Sequence, residues 1–267
     1  MSDVIAVVDM GSNSLHLQVV RGRKVLALHR AAVQLGNLVD DNIPLSMVRA
    51  ASDALSHFES IADGYGASMK CFATAALRDA QNRDEVLSLL PTPVTILSTD
   101  QEAEMAYQGA VQALGLSGPT IVFDLGGRST EVVRGLGTDV RETWSFPVGH
   151  LTLHERTADF SPVAGARGRL VGTAGTALTL GRMAAAARGE NPVTRHALEV
   201  DLDELREVVE SIDDSVDPGM LPGSDPRRGA TLRVAAHAVL KLIETLGAPG
   251  YVTSEAGLRE GLVEACR

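Results

Sequence analysis

Two stretches of this chain set an acidic side chain at the end of an apolar run and follow it with small, polar residues. Val7–Gly22 reads VVDMGSNSLHLQVVRG, and Val122–Gly135 reads VFDLGGRSTEVVRG. Asp9 aligns with Asp124, Gly11 with Gly126 and Ser14 with Ser129, and both copies run into Val-Val-Arg-Gly. A glycine turn lets the backbone come close to a ligand, and successive N–H groups in such a turn can hold an anion. A carboxylate at the strand end, facing that turn, suits a divalent cation carried on a bound phosphate. Either stretch alone would equally make an ordinary β-hairpin. Their repetition, about half the chain apart, points to two related subdomains facing one cleft.

Other candidates lie between and after the two copies. Arg78 stands at a strand-to-helix connection following Lys70–Ala73, where a side chain can reach across a cleft or simply decorate a helix start. Glu102 falls in the first turn of a helix expected from Thr99 to about Leu114. Acidic residues are favoured there by the helix dipole alone, so Glu102 becomes catalytic only if a ligand site converges on it. Thr173, Gly175 and Thr176 lie in LVGTAGTALTL, a strand-to-helix turn that can offer backbone N–H groups and a helix N-terminus to an anion. Tight helix–sheet packing would select the same small residues. His237 lies on the apolar stripe of its helix and reads as a packed histidine; the remaining histidines show no metal-like spacing.

These residues need a framework of alternating strands and helices. Val4–Gly22 reads as a hairpin, Val25–Ala32 as a third strand, and Ser46–Tyr65 as an amphipathic helix with Ser46 as its N-cap. Pro93–Ser98 gives another strand. Gly115–Pro119 (GLSGP) reads as a linker, which sets the domains at 1–117 and 118–267. Val140–Phe146 should pair back on the second hairpin, Gly149–Arg156 should form a short helix, and Arg188–Thr194 a loop. Asp201 and Glu204 form a capping box for a helix through about Ile212. Asp213–Arg228 reads as an exposed connection, Thr231–Leu246 as an amphipathic helix, Gly250–Ser254 as a strand, and Gly257–Ala265 as a last helix.

The 267 residues have the composition of a globular protein with a full core. The net charge of −10 argues against a sequence-blind nucleic-acid binder. No apolar run is long enough to span a bilayer, and no signal-peptide pattern precedes the first strand. Cys71 and Cys266 suggest neither a disulfide framework nor a zinc site. A reduced, cytoplasmic setting is the expectation.

The order DMGSNS, ATAALRDA, TDQEA, DLGGRSTE, VGTAGT, TSEAGLREGL resembles the exopolyphosphatase/guanosine pentaphosphate phosphatase family of the actin-like phosphotransferase superfamily. The resemblance covers nearly the whole chain. It implies an α/β fold of two actin-like (ribonuclease H-like) subdomains with a phosphate-binding cleft between them, the last helix packing back on the first subdomain. It also implies a homodimer. Asp9–Ser14 and Asp124–Glu131 match the family's two phosphate loops, so Ser12, Asn13, Ser14, Gly126, Gly127, Arg128 and Ser129 are expected to hold phosphate oxygens. Arg78 matches the arginine of the first-domain phosphate site, and Thr173, Gly175 and Thr176 a further loop of the second. Glu102 falls on the position taken as catalytic base. Asp124 and Glu131 match carboxylates associated with the metal and the attacking water; with Asp9 they are expected to place Mg²⁺ or Mn²⁺. Three features depart from the family: Arg128 where a third glycine is usual, Gln101 in place of the first glutamate of an acidic pair, and no C-terminal helical domain after the actin-like pair. The last favours a short processing range or a small substrate.

Phosphoanhydride hydrolysis requires charge stabilisation and an in-line water, with little covalent chemistry from the protein. The expected activity is therefore metal-dependent release of terminal orthophosphate from inorganic polyphosphate. The alternative within the class is hydrolysis of guanosine pentaphosphate. A sugar or acid kinase of the superfamily would need an adenosine pocket and an acidic residue on a substrate hydroxyl. A phosphate- or alarmone-binding sensor would have lost turnover through Arg128 and Gln101.

Overall fold

The computed structural model describes residues 4–153, 158–191 and 197–267 of the chain. Internal contacts divide it into one unit of Met1–Met105 with Leu258–Arg267 and a second of Ala106–Gly257.

In the first unit, the apolar run of β1 (Val4–Met10) returns through the turn at 11–13 into β2 (Ser14–Arg21), which pairs with β3 (Lys24–Ala32). Beyond β1 lie β4 (Ser68–Ala73) and then β5 (Val94–Ile96), both parallel, so the sheet order is β3-β2-β1-β4-β5. The helix α1 (Leu45–Gly64) buries Val48, Ala51, Leu55, Phe58 and Ala62, one face at helical spacing, against this sheet's core. It begins one residue before the expected Ser46 cap. Pro44, extended at φ −60°, accepts from the backbone N–H of Met47 and Val48, and Ser46 lies within the first turn. Two short helices, α2 (Ala75–Asp79) and α3 (Arg83–Leu89), link β4 to β5, and α4 (Thr99–Leu114) follows.

The second unit repeats the plan. Its strands β6 (Pro119–Leu125), β7 (Thr130–Leu136), β8 (Asp139–Phe146), β9 (Arg169–Thr173), β10 (Glu199–Asp201) and β11 (Gly250–Thr253) form a sheet of order β10-β11-β9-β6-β7-β8. Read from β8, this is the first sheet's order with β10 added at the far edge. The helices α5 (Ala174–Ala187), α6 (Leu202–Asp214) and α7 (Gly229–Leu246) supply the core's other layer. Asp201 and Glu204 make the expected capping box reciprocally, at 2.7 and 3.1 Å. Residues 149–153 form a turn; 154–156 of the expected short helix, and 192–194 of the expected loop, lie outside the described residues.

Three expectations are corrected. The division of the chain falls inside α4, not at Gly115–Pro119. Gly115, at φ +62°, closes α4 with Leu116 N–H on the Val111 carbonyl, and β6 starts at Pro119, so no linker intervenes. Residues 213–228 are partly packed rather than simply exposed: Asp217 and Asp225 cap two 3₁₀ turns, and Pro218 and Gly219 are buried. His237 is exposed, not packed, with its Nε2 2.9 Å from the Asp213 carboxylate. It sits just off the buried arc of Leu232, Ala235, Ala236 and Val239. The last helix, α8 (Leu258–Ala265), packs in the first unit, where Leu262 and Val263 join Val7, Val20 and Leu97. No helix among the described residues is long and apolar enough to cross a membrane.

Candidate functional site

The two hairpins share one geometry. In the first, Gly11 N–H donates to the Ser14 carbonyl at 3.1 Å; in the second, Gly126 N–H donates to the Ser129 carbonyl at 3.0 Å. A Cβ on either glycine would stand 3.3 Å from that carbonyl oxygen, tighter than an ordinary contact. Neither Gly11, Gly126 nor Gly127 uses the left-handed region. Arg128 does not either, so its replacement of a glycine brings no backbone strain. The registers also match: Asp9 faces His16 across β1 and β2, and Asp124 faces Glu131 across β6 and β7.

In the first unit, the turn after β4 and the turn after β5 bring Arg78 and Glu102 together. Arg78 Nη1 donates to Glu102 Oε2 at 2.8 Å and to the Leu97 carbonyl at 3.1 Å. Both side chains are largely buried, at 19% and 14% exposure. Burial raises the Glu102 carboxyl above its ordinary range, while hydrogen bonds from Arg78 and Thr74 pull it down and the Asp79 charge adds to the rise. Asp9 is pushed up to about 7, first by burial and then by the negative charge of Glu102; Arg259 opposes this, and Glu260 adds to it. Gln101 is taken up elsewhere. Its Oε1 accepts from Ser98 N–H and its own N–H donates to Ser98 Oγ, a capping box that fixes the first turn of α4 beneath Glu102. Ser12 and Ser14 are buried in the first turn, with Ser14 Oγ accepting from Arg30 Nε at 3.0 Å, and Asn13 gives its carbonyl to Val33 and Gln34 N–H.

In the second unit, the loop after β8 closes on the second hairpin. His150 and Leu151 N–H donate to the carbonyls of Gly126 and Gly127, and a Cβ on Gly149 would stand 2.4 Å from the Gly127 carbonyl carbon. Ser129 and Glu131 are buried, and Glu131 accepts from Ser145 Oγ at 3.3 Å. At the junction of β9 and α5, Ala174 holds φ +58°, a left-handed conformation that a Cβ residue avoids. Strain of this kind clusters at functional turns. The hydroxyls of Thr173 and Thr176 are bound internally, to the Ala256 and Leu125 carbonyls, so what this turn can offer an anion is backbone N–H.

Two residues at this turn escaped the sequence reading. The Arg228 guanidinium lies over Gly175, so close that a Cβ there would fall 1.6 Å from Nη2. His150 is buried, its Nδ1 has no hydrogen-bond partner among the described residues, and its imidazole is pushed down to about 4 by burial and then by the Arg228 charge. The only sequence signal for Arg228 was its place in a basic pair after Asp225. Arg259 and Glu260 lay in a motif that resembled the family without suggesting a role. Among the described residues, no three His, Cys, Asp or Glu side chains gather as a metal-ligand set.

A sequence profile of the Ppx/GppA phosphatase family matches residues 6–164. The guanosine-5'-triphosphate,3'-diphosphate pyrophosphatase of Vibrio parahaemolyticus is 33% identical over 162 residues, which cover 57% of this chain and 33% of that protein. The chain thus spans about a third of the length of the curated relatives it matches. The exopolyphosphatase from Cytophaga hutchinsonii has a TM-score of 0.88 at 21% identity, covering 99% of this chain and 97% of that one. The Aquifex aeolicus member of the Ppx/GppA protein family gives 0.85 at 23%, covering 98% and 97%. The fold of this chain is therefore the two-domain, actin-like α/β fold of those structures.

Proposed function

We propose a phosphoanhydride hydrolase for this chain, which belongs to the Ppx/GppA phosphatase family. The observation that carries the reading is the buried pair of Arg78 and Glu102 beside Asp9. A carboxylate raised by burial is suited to take a proton from water near neutral pH. A guanidinium next to it can bind a terminal phosphoryl group through charge-assisted bonds. Glu102 is the proposed base, orienting and deprotonating the attacking water. Ser12, Asn13 and Ser14 border the same unit's phosphate turn. In the second unit, Gly126, Gly127, Arg128 and Ser129 of the hairpin and the N–H groups at Thr173, Gly175 and Thr176 are proposed as anion-holding groups, with Arg228 added to them.

A divalent cation fits these residues. Asp9 is a carboxyl whose ionisation is opposed by burial and by neighbouring carboxylates, and Asp124 and Glu131 face each other as a second all-oxygen pair. Mg²⁺ is commonly held by one or two carboxylates, with waters and substrate phosphates completing its shell, so a three-residue cluster is not required. Asp9, Asp124 and Glu131 are the proposed holders of Mg²⁺ or Mn²⁺. When bound, such an ion neutralises charge on the phosphates.

Inorganic polyphosphate and guanosine pentaphosphate present the same terminal anhydride. Similarity to an exopolyphosphatase structure supports the first, and the pyrophosphatase relatives support the second. The test is orthophosphate release, with Mg²⁺ or Mn²⁺, from polyphosphates of several lengths and from guanosine pentaphosphate. Release supports the hydrolase, and the larger kcat/KM names the substrate. Absence of release from every substrate, with tripolyphosphate binding intact, would overturn the hydrolase and leave a sensor.

A further inference from the structure

The TDQEA and ATAALRDA segments do more than deliver a base and a phosphate ligand to the same place. Each Nη of arginine carries two N–H groups, and both of those on Arg78 Nη1 have partners: Glu102 Oε2 at 2.8 Å and the Leu97 carbonyl at 3.1 Å. Leu97 is itself fixed, its N–H donating to the Ala73 carbonyl at 2.9 Å. The Arg78 backbone N–H is held by the Thr74 carbonyl at 3.0 Å, and that of Glu102 by the Ser98 carbonyl at 3.0 Å. The guanidinium plane is therefore set by two adjacent strand-to-helix turns, one after β4 and one after β5. Its Nε lies 3.9 Å from Asp79 Oδ1, and its Nη2 makes no hydrogen bond to any described residue.

We propose that Arg78 is a bridge: its Nη1 edge holds Glu102 while its Nη2 edge takes the terminal phosphate, so one rigid guanidinium spaces the base from the reacting phosphorus. This rests on the hydrolase reading above and adds to it a positioning role for Arg78. A planar fork can serve two anions at once in fixed geometry; an ammonium, a compact point charge on a flexible stem, cannot. The arrangement carries a cost. The pairing holds Glu102 down against the rise from burial, and the charged groups facing it are Arg78, Asp79 and Asp9, with the Thr74 hydroxyl as the neutral partner.

The experiment uses Arg78→Lys and Arg78→Met in the full chain. Steady-state kinetics with tripolyphosphate across pH are combined with ¹³C NMR titration of the Glu102 carboxyl, assigned by its loss in Glu102→Gln. Arg78→Lys keeps the charge and loses the fork, so KM changes little while kcat falls about 100-fold, the cost of a misplacement near 1 Å. In Arg78→Met, KM rises as well. Its acid limb of kcat/KM and its Glu102 titration both move to higher pH, because the partner that held the carboxyl down is gone. Wild-type kcat in Arg78→Lys, or a Glu102 titration unmoved in Arg78→Met, overturns the bridge. If the wild type hydrolyses nothing, the hydrolase reading is what has failed. Tripolyphosphate binding and the titration then decide the bridge together: weaker binding with a shifted Glu102 in Arg78→Met supports it, and either one unmoved overturns it.

Discussion

His150 gives a prediction that needs no substrate. The side chain is buried at 5% exposure, its Nδ1 has no partner among the described residues, and Arg228 stands close enough to oppose a second positive charge. Its protonation is therefore depressed from 6.5 to about 4 in the folded protein, while the unfolded chain titrates normally. A group depressed in this way stabilises the fold fully above the unfolded value and ceases to do so as pH falls through the folded one. Between those values the unfolded state binds a proton that the native state refuses. Linkage puts the loss at about 2 kcal/mol by pH 5 and about 3 kcal/mol by pH 4, relative to pH 7. Urea unfolding of wild type and His150→Asn at pH 7, 6 and 5 isolates the term, since every other titrating group is common to both. The gap between the two stabilities should change by about 2 kcal/mol from pH 7 to pH 5, with the wild type losing more. Parallel curves would refute the buried, neutral imidazole.

Three further outcomes follow from close approaches in the backbone. Gly175→Ala puts a methyl where the Arg228 guanidinium now lies, and that flexible group must leave. Tripolyphosphate affinity should drop about tenfold, the scale of one charged hydrogen bond, with thermal stability little changed; calorimetry and melting read the two separately. Ala174→Gly relieves the left-handed alanine at φ +58° and should stabilise the protein by about 1 kcal/mol in urea unfolding. Gly261→Ala drives a methyl to 2.1 Å from the Met105 carbonyl, a backbone atom that cannot swing away. It should cost about 1–3 kcal/mol, read in the same assay.

Much of the fold was legible because its signals are local. The repeated strand–Asp–x–Gly–turn is written in contiguous residues, and each copy folded into the same turn with the same register. The Asp201–Glu204 box was readable for the same reason, since a cap and its partner lie three residues apart. What depended on distance was not readable. Arg228 reaches Gly175 across more than fifty positions, from a proline-containing stretch whose composition resembles an exposed connection. His150 sits in a turn with no periodicity, so nothing in its neighbours announced burial. GLSGP carried the composition of a linker, yet Gly115 closes a helix there and β6 follows at once. For the first unit's site, sequence supplied Arg78 and Glu102 as separate candidates. That one guanidinium nitrogen holds the carboxylate was visible only in three dimensions.

The proposed role of Glu102 is to activate water against a terminal phosphoanhydride. The most direct test is turnover of polyphosphate in ¹⁸O-labelled water by wild type and Glu102→Gln, with tripolyphosphate binding measured for both. Each orthophosphate released by the wild type should carry one ¹⁸O. Glu102→Gln should lose roughly 10²–10⁴ in kcat, the value of a general base, with binding retained. Unlabelled phosphate, or a Glu102→Gln protein that turns over at the wild-type rate, would contradict that role.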